Sequence, residues 1–469
     1  MRIRWRYMFW GWVFLSCTTL ITIFTVLREV DLVSGVETLH QSFRQTLQNT
    51  DILKGINLIG GQEGWFSDHE NASGYDQWIL SNRRQKHHWE AKPLNREKTS
   101  RHMPAWQRFF DDITRDQMYS RNAGYMSALL KELVKTEIKS VALYHGGSQL
   151  KLQVRLADGN YAMLKPMRNP RKFVYGYNED QPFWLDIERH NAEVAAFHLD
   201  RILNFRRSPP CAGRVINMSR DIMEKTIDKE LLNTFFTNGI NHCFTGKCAP
   251  WFCNKDYPVC GKGEMLEVSM CQFLPNYKSD EDPVMDKPYP WSHGVREAAV
   301  WMDQNICEDL LHNTANAEGR FFLDLIEQSI FDFLIRNYDR HHFHMLRQFG
   351  TKGFVVVLDN GKGFGNPYTD DPSLLAPLAQ CCIIRQSTYR YLDKLHRNKR
   401  ERLSDHMRIV LSQDAIAPVL TEAHLEALDR RLAIVIETVR DCIHLHGSRR
   451  VLVEHLQIPV SENTGRTET

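Results

Sequence analysis

Asp339 and Asp359, twenty residues apart, are the residues of this chain whose type and setting point most directly to chemistry. Both stand in the stretch FDFLIRNYDRHHFHMLRQFGTKGFVVVLDNGKGF, from Phe331 to Phe364. A helix with one apolar side ends at Asn337 and delivers Asp339 into a polar turn beside Arg340, His341 and His342. A short apolar strand, Phe354 to Leu358, delivers Asp359 into a glycine-rich turn. Two carboxylates set just past buried elements are what phosphoryl transfer needs. One orients and deprotonates an acceptor hydroxyl, and the other holds the metal on a nucleotide. Aspartate is also a common turn and cap residue, so the rest of such a site has to be found elsewhere in the chain.

Upstream, a strand at Ser140 to Tyr144 runs into His145-Gly146-Gly147-Ser148. Strict alternation follows, with Gln149, Lys151, Gln153 and Arg155 on one face and Leu150, Leu152, Val154 and Leu156 on the other. Asp158-Gly159 marks a hairpin turn, and Tyr161 to Lys165 returns as the partner strand. A glycine-bearing turn leading into a hairpin whose second strand ends in lysine resembles a nucleotide-covering element. The glycines would let backbone amides approach phosphate, although most Gly-Gly turns are only turns. Glu188 to Phe205 (ERHNAEVAAFHLDRILNF) is a helix whose first residues include Glu188 and Glu193. Carboxylates are favoured at a helix start by the dipole alone. The functional reading gives one of them to the Lys165 ammonium and the other to a metal.

The positioning elements follow from periodicity. Helical spacing covers Asn122 to Thr136, Arg320 to Arg336 and His424 to Cys442. Cys211 to Asn217 is extended, Leu231 to Cys260 is a small cysteine-laced insertion, and Met265 to Pro275 is a connector between two halves. Asn276 to His293, acidic and proline-bearing, reads as a surface loop.

Composition sets the class. The 469 residues are 42% hydrophobic and 25% charged with a formal net charge of +2, which fits a globular protein and gives nucleic-acid binding no support. Arg2, Arg4 and Arg6 precede an uncharged stretch, Tyr7 to Leu27, long enough to span a bilayer. No small-residue cleavage pattern follows, so the expectation is a type II signal anchor at 7–27 with a cytoplasmic tail at 1–6. A polar lumenal stem then runs over 28–104, and a polar tail occupies 461–469. Ten of the 11 cysteines lie beyond the anchor, as a disulfide framework in an oxidising compartment requires. Zinc is the rival for Cys243, Cys248, Cys253 and Cys260, although they contain no CxxC pair. The sequons at Asn71 and Asn217 fit the same compartment.

The segments YAMLKPM, ERHNAEVAAFHLDRIL, NYDRHH, VLDNGKGFG, APLAQCCIIRQSTY and HLEALDRRL together resemble the secretory-pathway kinases of the "family with sequence similarity twenty" group, over roughly Pro104 to Gly447. The resemblance implies an α+β, atypical bilobal protein-kinase-like fold. A β-rich N-lobe with the Cys-rich insertion would occupy 105–275 and a mainly helical, disulfide-bonded C-lobe 276–460. It implies that Asp339 is the general base and that Asp359, in DNG, ligates the metal with Glu188. Lys165 and Gln149 would contact nucleotide and phosphate, with Lys151 beside them. Cys271, Gln272, Phe273 and Leu274 would meet the adenine, and Glu193 is the candidate ion-pair partner of Lys165. ATP with Mn2+ or Mg2+ is the implied cofactor set. The implied disulfides are Cys243–Cys260, Cys248–Cys253, Cys307–Cys381 and Cys382–Cys442, leaving Cys211 and Cys271 free.

One position departs from the family pattern. His344 stands where the family usually has a nucleotide-associated glutamate. Retention of Glu188, which the family's pseudokinase replaces with an amide, favours activity. The expected function is phosphorylation of serine in S-x-E sites of secreted proteins. The alternative is phosphorylation of xylose in the proteoglycan linkage region, and a non-catalytic activator is the third reading. The implied setting is a single-pass type II Golgi membrane protein with a lumenal catalytic domain, or a secreted form after cleavage. The resemblance leaves room for a homo- or hetero-dimer with a family member.

Overall fold

Alternation of apolar and polar side chains is what lays down the sheet of this protein. A computed structural model describes residues 57–58, 103–174, 187–275, 283–293, 306–312 and 320–457. Two helices, α1 (Ala105–Asp112) and α2 (Met126–Lys135), lead into it. The strands are β1 (Ile138–Leu143), β2 (Leu152–Leu156), β3 (Tyr161–Pro166), β4 (Cys211–Asn217) and β5 (Met265–Gln272). They pair antiparallel in the spatial order β1-β2-β3-β5-β4. In β2, Leu152, Val154 and Leu156 are buried while Arg155 is exposed, so the period of two sends one face to a core shared with Leu164, Val268 and Met270. Asn160, just past Asp158-Gly159, accepts the Leu156 N–H at 2.8 Å, and Gly159 takes the left-handed conformation the tight turn needs (φ 87°).

Helix α3 (His190–Ile202) separates β3 from β4 and joins a second, larger apolar core with α4 (Phe321–Ile335). The sequence pattern gives α4 one buried side, yet all fifteen of its residues are buried. Its acidic residues tolerate this because arginines meet them. Asp324 lies 2.5 Å from Arg385 and 3.3 Å from Arg207, Glu327 pairs with both of those arginines, and Asp332 lies 2.9 Å from Arg340. Burial alone would raise the Asp324 pKa, but Arg207, Arg320 and Arg385 outweigh it and hold that carboxyl far below its ordinary range.

The segment read as a surface loop contains a strand, β6 (Val284–Pro288), which pairs with β7 (His342–Leu346), itself paired with β8 (Val355–Val356). Helices α5 (Gln386–Arg397), α6 (Leu403–Leu411) and α7 (Glu422–His446) complete the body.

Every cysteine among the described residues is bonded. The expected Cys243–Cys260, Cys248–Cys253, Cys307–Cys381 and Cys382–Cys442 bonds are present, so the tight cysteine cluster is two disulfides and not a zinc site. The expectation that Cys211 and Cys271 stay free is corrected. These residues face each other across the β4–β5 ladder with Cα atoms 4.0 Å apart, and they form a fifth disulfide. Directly opposed residues in an antiparallel pair bring their Cβ atoms close.

The expected tail at 1–6, anchor at 7–27, sequon at Asn71 and polar tail at 461–469, with nearly all of the stem, lie outside the described residues. Among those described, no helix is long and apolar enough to cross a membrane. Asn217 is half-buried at the end of β4, and its side-chain amide donates to Glu264 Oε2 at 2.8 Å. A glycan at Asn217 would have to displace that bond.

Candidate active site

Lys165 ends up at the centre of the site because β3 is flanked on both sides. It faces Ser269 of β5, and its side chain is 8% exposed. Its ammonium donates to Glu193 Oε1 at 2.5 Å and to Asp359 Oδ1 at 2.7 Å, and it lies 3.5 Å from Glu188 Oε1. Burial opposes charge on Lys165, but Asp359, Glu188 and Glu193 together outweigh it and hold its pKa well above the ordinary lysine value. Of the two glutamates expected near this lysine, Glu193 therefore makes the short contact. Glu193 also accepts the Asn360 N–H, at 3.1 Å from Oε1, so one carboxylate ties α3 to both the lysine strand and the Asp359 turn.

Asp359 has a left-handed backbone (φ 55°) at the first residue of the DNG turn. Burial would raise its pKa, but Lys151, 3.3 Å from Oδ2, and Lys165 overcome this and hold the carboxyl well below its ordinary range. Its side chain is 44% exposed, so the carboxylate remains open to solvent beside the two lysines. Glu188 behaves oppositely. Burial raises its pKa, Lys165 and Lys151 pull it down, and the negative charges of Asp359 and Glu193 keep it high. The Glu188 side chain can lie against the DNG loop because residue 361 is glycine; a Cβ there would meet Glu188 Cγ at 3.1 Å.

Glu188 and Asp359 thus form a crowded carboxylate pair, a donor set that a divalent cation would relieve. No group of three or more His, Cys, Asp or Glu suited to a metal occurs among the described residues. Two carboxylates with the remaining positions left to phosphate and water is how Mg2+-type cations are usually held, and the residues present fit that arrangement.

Gln149 and Lys151 precede β2 and are both buried, not displayed on an open sheet face. Gln149 Nε2 is buried without a hydrogen-bond partner among the described residues, a donor left available to a ligand. Gly147, at φ 78°, lies beside Lys151; a Cβ there would meet its ammonium at 3.0 Å. Along the connector, Cys271 is held in its disulfide. The Gln272 side chain is committed to a reciprocal pair with Asn160, 2.8 Å each way, and Leu274 belongs to the core. Only the half-buried Phe273, edge-on to Tyr144, has a side chain with an open face.

Asp339 follows the left-handed Arg336 that ends α4, and its N–H donates to Asn337 Oδ1 at 3.1 Å. Lys362 Nζ lies 3.1 Å from Asp339 Oδ2. Arg340, next in sequence, donates to Asn360 Oδ1 at 2.8 Å and to the Leu358 carbonyl, joining the Asp339 and Asp359 turns. Periodicity and spacing give neither Lys362 nor Arg340 a role, although both sit inside the stretch that carries the two aspartates. His344, on β7, has Nε2 3.3 Å from Asp286 Oδ1 and a buried Nδ1 without a partner among the described residues. Burial, then the Arg340 charge, depresses its pKa to about 4, so its ring is neutral at physiological pH.

The family model described as "Golgi casein kinase, C-terminal, Fam20" matches residues 104–451. Human "Extracellular serine/threonine protein kinase FAM20C" is 41% identical over 358 residues, which is 75% of this chain and 60% of that protein's length. A "Glycosaminoglycan xylosylkinase" of Danio rerio is 40% identical over 341 residues, 72% of this chain and 80% of the relative. The crystal structure of the Golgi casein kinase with Mn/ADP bound matches with a TM-score of 0.73 at 31% identity, over 87% of this chain and 98% of the other. The fold is therefore that of the Golgi casein kinase structures. With its sheet, its helical body and the lysine–carboxylate cluster between them, this chain belongs to the Golgi casein kinase family, Fam20.

Proposed function

We propose that the chain is an ATP-dependent phosphotransferase of the secretory pathway that phosphorylates serine in S-x-E sites of secreted proteins. The observation that carries this reading is the buried Lys165 ammonium, held 2.5 Å from Glu193 and 2.7 Å from Asp359 with Glu188 at 3.5 Å. Glu193 orients Lys165 toward phosphate oxygens, and Gln149 offers its unpartnered amide N–H. Glu188 and Asp359 would hold Mn2+ or Mg2+, which supplies neutralisation of the charge on the transferring phosphates. Asp339 orients the acceptor hydroxyl and takes its proton, and Lys362 fixes the direction of that carboxylate. The main chain of Gln272 to Leu274, with the Phe273 ring, borders the adenine. Relatives named as an extracellular serine/threonine kinase, and a matching structure with Mn/ADP bound, support the assignment.

The site lies between a β-rich N-lobe at 105–275 and a helical C-lobe at 276–460. Five disulfides support an oxidising, lumenal location. A single-pass type II anchor at 7–27 in the Golgi membrane, or a secreted form after cleavage, completes the reading.

A second acceptor has its own support in the 40% identity to a glycosaminoglycan xylosylkinase. Purified protein with labelled ATP and Mn2+ is offered casein and a xylose-containing tetrasaccharide primer. Label in casein is expected. Label in the sugar alone overturns the protein-kinase reading, and label in neither, with no thermal shift from nucleotide, points to a non-catalytic activator.

A further inference from the structure

Away from Lys165, a cavity of about 300 Å³ opens between the C-terminal turn of α3, the approach to α2, and helices α5 and α6. Arg121, Arg201 and Arg206 line it together with His198 and His406, and no carboxylate is among its described lining residues. Arg121 and Arg201 are exposed and form no ion pair among the described residues, while Arg206 donates to Gln117 Oε1 at 2.9 Å and to Asn204, both neutral amides. The adjacent Asp200 acts on the Arg206 charge from outside the cavity lining. It is fully buried, spent on the Tyr119 hydroxyl at 2.9 Å and the Arg207 N–H at 3.0 Å. His198 is only 7% exposed, and among the described residues no hydrogen bond reaches its ring, whose near neighbour is Phe197. Helix α2 starts at the rim with no side-chain cap and no acidic residue in its first turn.

Three guanidiniums sharing one cavity repel one another. That repulsion is relieved by a ligand with several acceptor oxygens and more than one negative charge. We infer that this cavity is a second ligand site, taking a phosphate monoester on a carrier the size of one amino-acid residue, such as phosphoserine. A phosphate monoester carries about −1.5 to −2 at neutral pH, which suits three arginines better than the single charge of a sulfate ester. Arginine forks bind phosphate oxygens bidentately, and a volume of about 300 Å³ has room for the one phosphorylated residue of a peptide, with its neighbours outside the cavity. The assignment rests on the cavity and not on the proposed reaction.

The full chain is titrated calorimetrically with a phosphoserine pentapeptide, its unphosphorylated counterpart and its sulfoserine counterpart, with and without ADP and Mn2+. Saturable binding of the phosphopeptide alone is expected in both conditions, weakened at least tenfold in the Arg121→Gln/Arg201→Gln variant. Both positions are exposed, so the variant keeps its fold, checked by an unchanged melting temperature. Equal binding of the sulfopeptide, no binding of the phosphopeptide, or binding undiminished in the double variant would overturn the inference. Failure of ADP to bind counts against the proposed reaction and leaves the nucleotide-free titration readable.

Discussion

The Arg340 guanidinium donates to Asn360 Oδ1 at 2.8 Å, clamping the residue after Asp339 to the residue after Asp359. The same group meets both oxygens of Asp332, at 2.9 and 3.0 Å, beneath the two turns. Arg340 is 5% exposed, so its removal would leave a buried carboxylate without its partner. Arg340→Met is expected to destabilise the fold by about 3–5 kcal/mol, the usual result of breaking a buried pair. Arg340→Lys keeps the charge but not the fork, and should fall between. The check is the denaturant midpoint; an unshifted midpoint in Arg340→Met contradicts the clamp.

Glu193→Gln keeps an acceptor for the Asn360 N–H but removes the charge opposite Lys165. The expected outcome is a retained fold with kcat/KM for ATP lowered about 10- to 100-fold, equivalent to about 1.4–2.7 kcal/mol. Steady-state kinetics decides it. Equal loss from a distant surface glutamate would show that the pair has no particular role.

The Cys211–Cys271 bond closes a sequence separation of 60 residues. Chain-entropy arguments put the loss on opening such a loop at up to about 4 kcal/mol. Cys211→Ser/Cys271→Ser should therefore melt lower than wild type. A non-reducing digest should recover the two cysteine peptides as one linked species, and recovery as two free-thiol peptides contradicts the pairing.

His344 gives a pH dependence with a definite sign. An unfolded histidine takes up its proton near pH 6.5, whereas the folded ring does so only near about 4. His344 therefore subtracts stability as pH falls through that window, by up to about 1.4 kcal/mol per pH unit, and has no such effect above it. Asp200, raised to about 6 by burial, acts in the opposite sense, so the comparison must be made between variants. The difference in unfolding free energy should move in favour of His344→Gln from pH 6.5 to 4.5. Parallel curves would contradict the buried, neutral ring.

Much of the site is legible in the sequence because its reactive residues stand at the ends of strongly patterned elements. Lys165 closes a hairpin strand, Glu193 opens a helix, and the two aspartates follow apolar runs. Choosing between Glu188 and Glu193 for Lys165 is beyond periodicity, since it depends on how α3 is set against β3. The Cys211–Cys271 bond depends on the β4–β5 register, which pairs residues 60 apart in sequence and is not set by local pattern. The strand at Val284–Pro288 carries no alternation of its own, and its pairing with β7 creates it. Full burial of α4 escaped the pattern because Asp324, Glu327 and Asp332 read as solvent-facing until Arg207, Arg385 and Arg340 arrive from elsewhere in the sequence.

Asp339 and Asp359 differ in role, and one paired measurement tests the difference. Wild type, Asp339→Ala and Asp359→Ala are compared for Mn2+-dependent nucleotide binding and for transfer of label from ATP to acceptor. Asp339→Ala should bind nucleotide with Mn2+ as wild type does while transfer falls about a hundredfold or more. Asp359→Ala should lose both. Transfer at the wild-type rate by Asp339→Ala, or undiminished Mn2+-dependent binding by Asp359→Ala, would contradict the account.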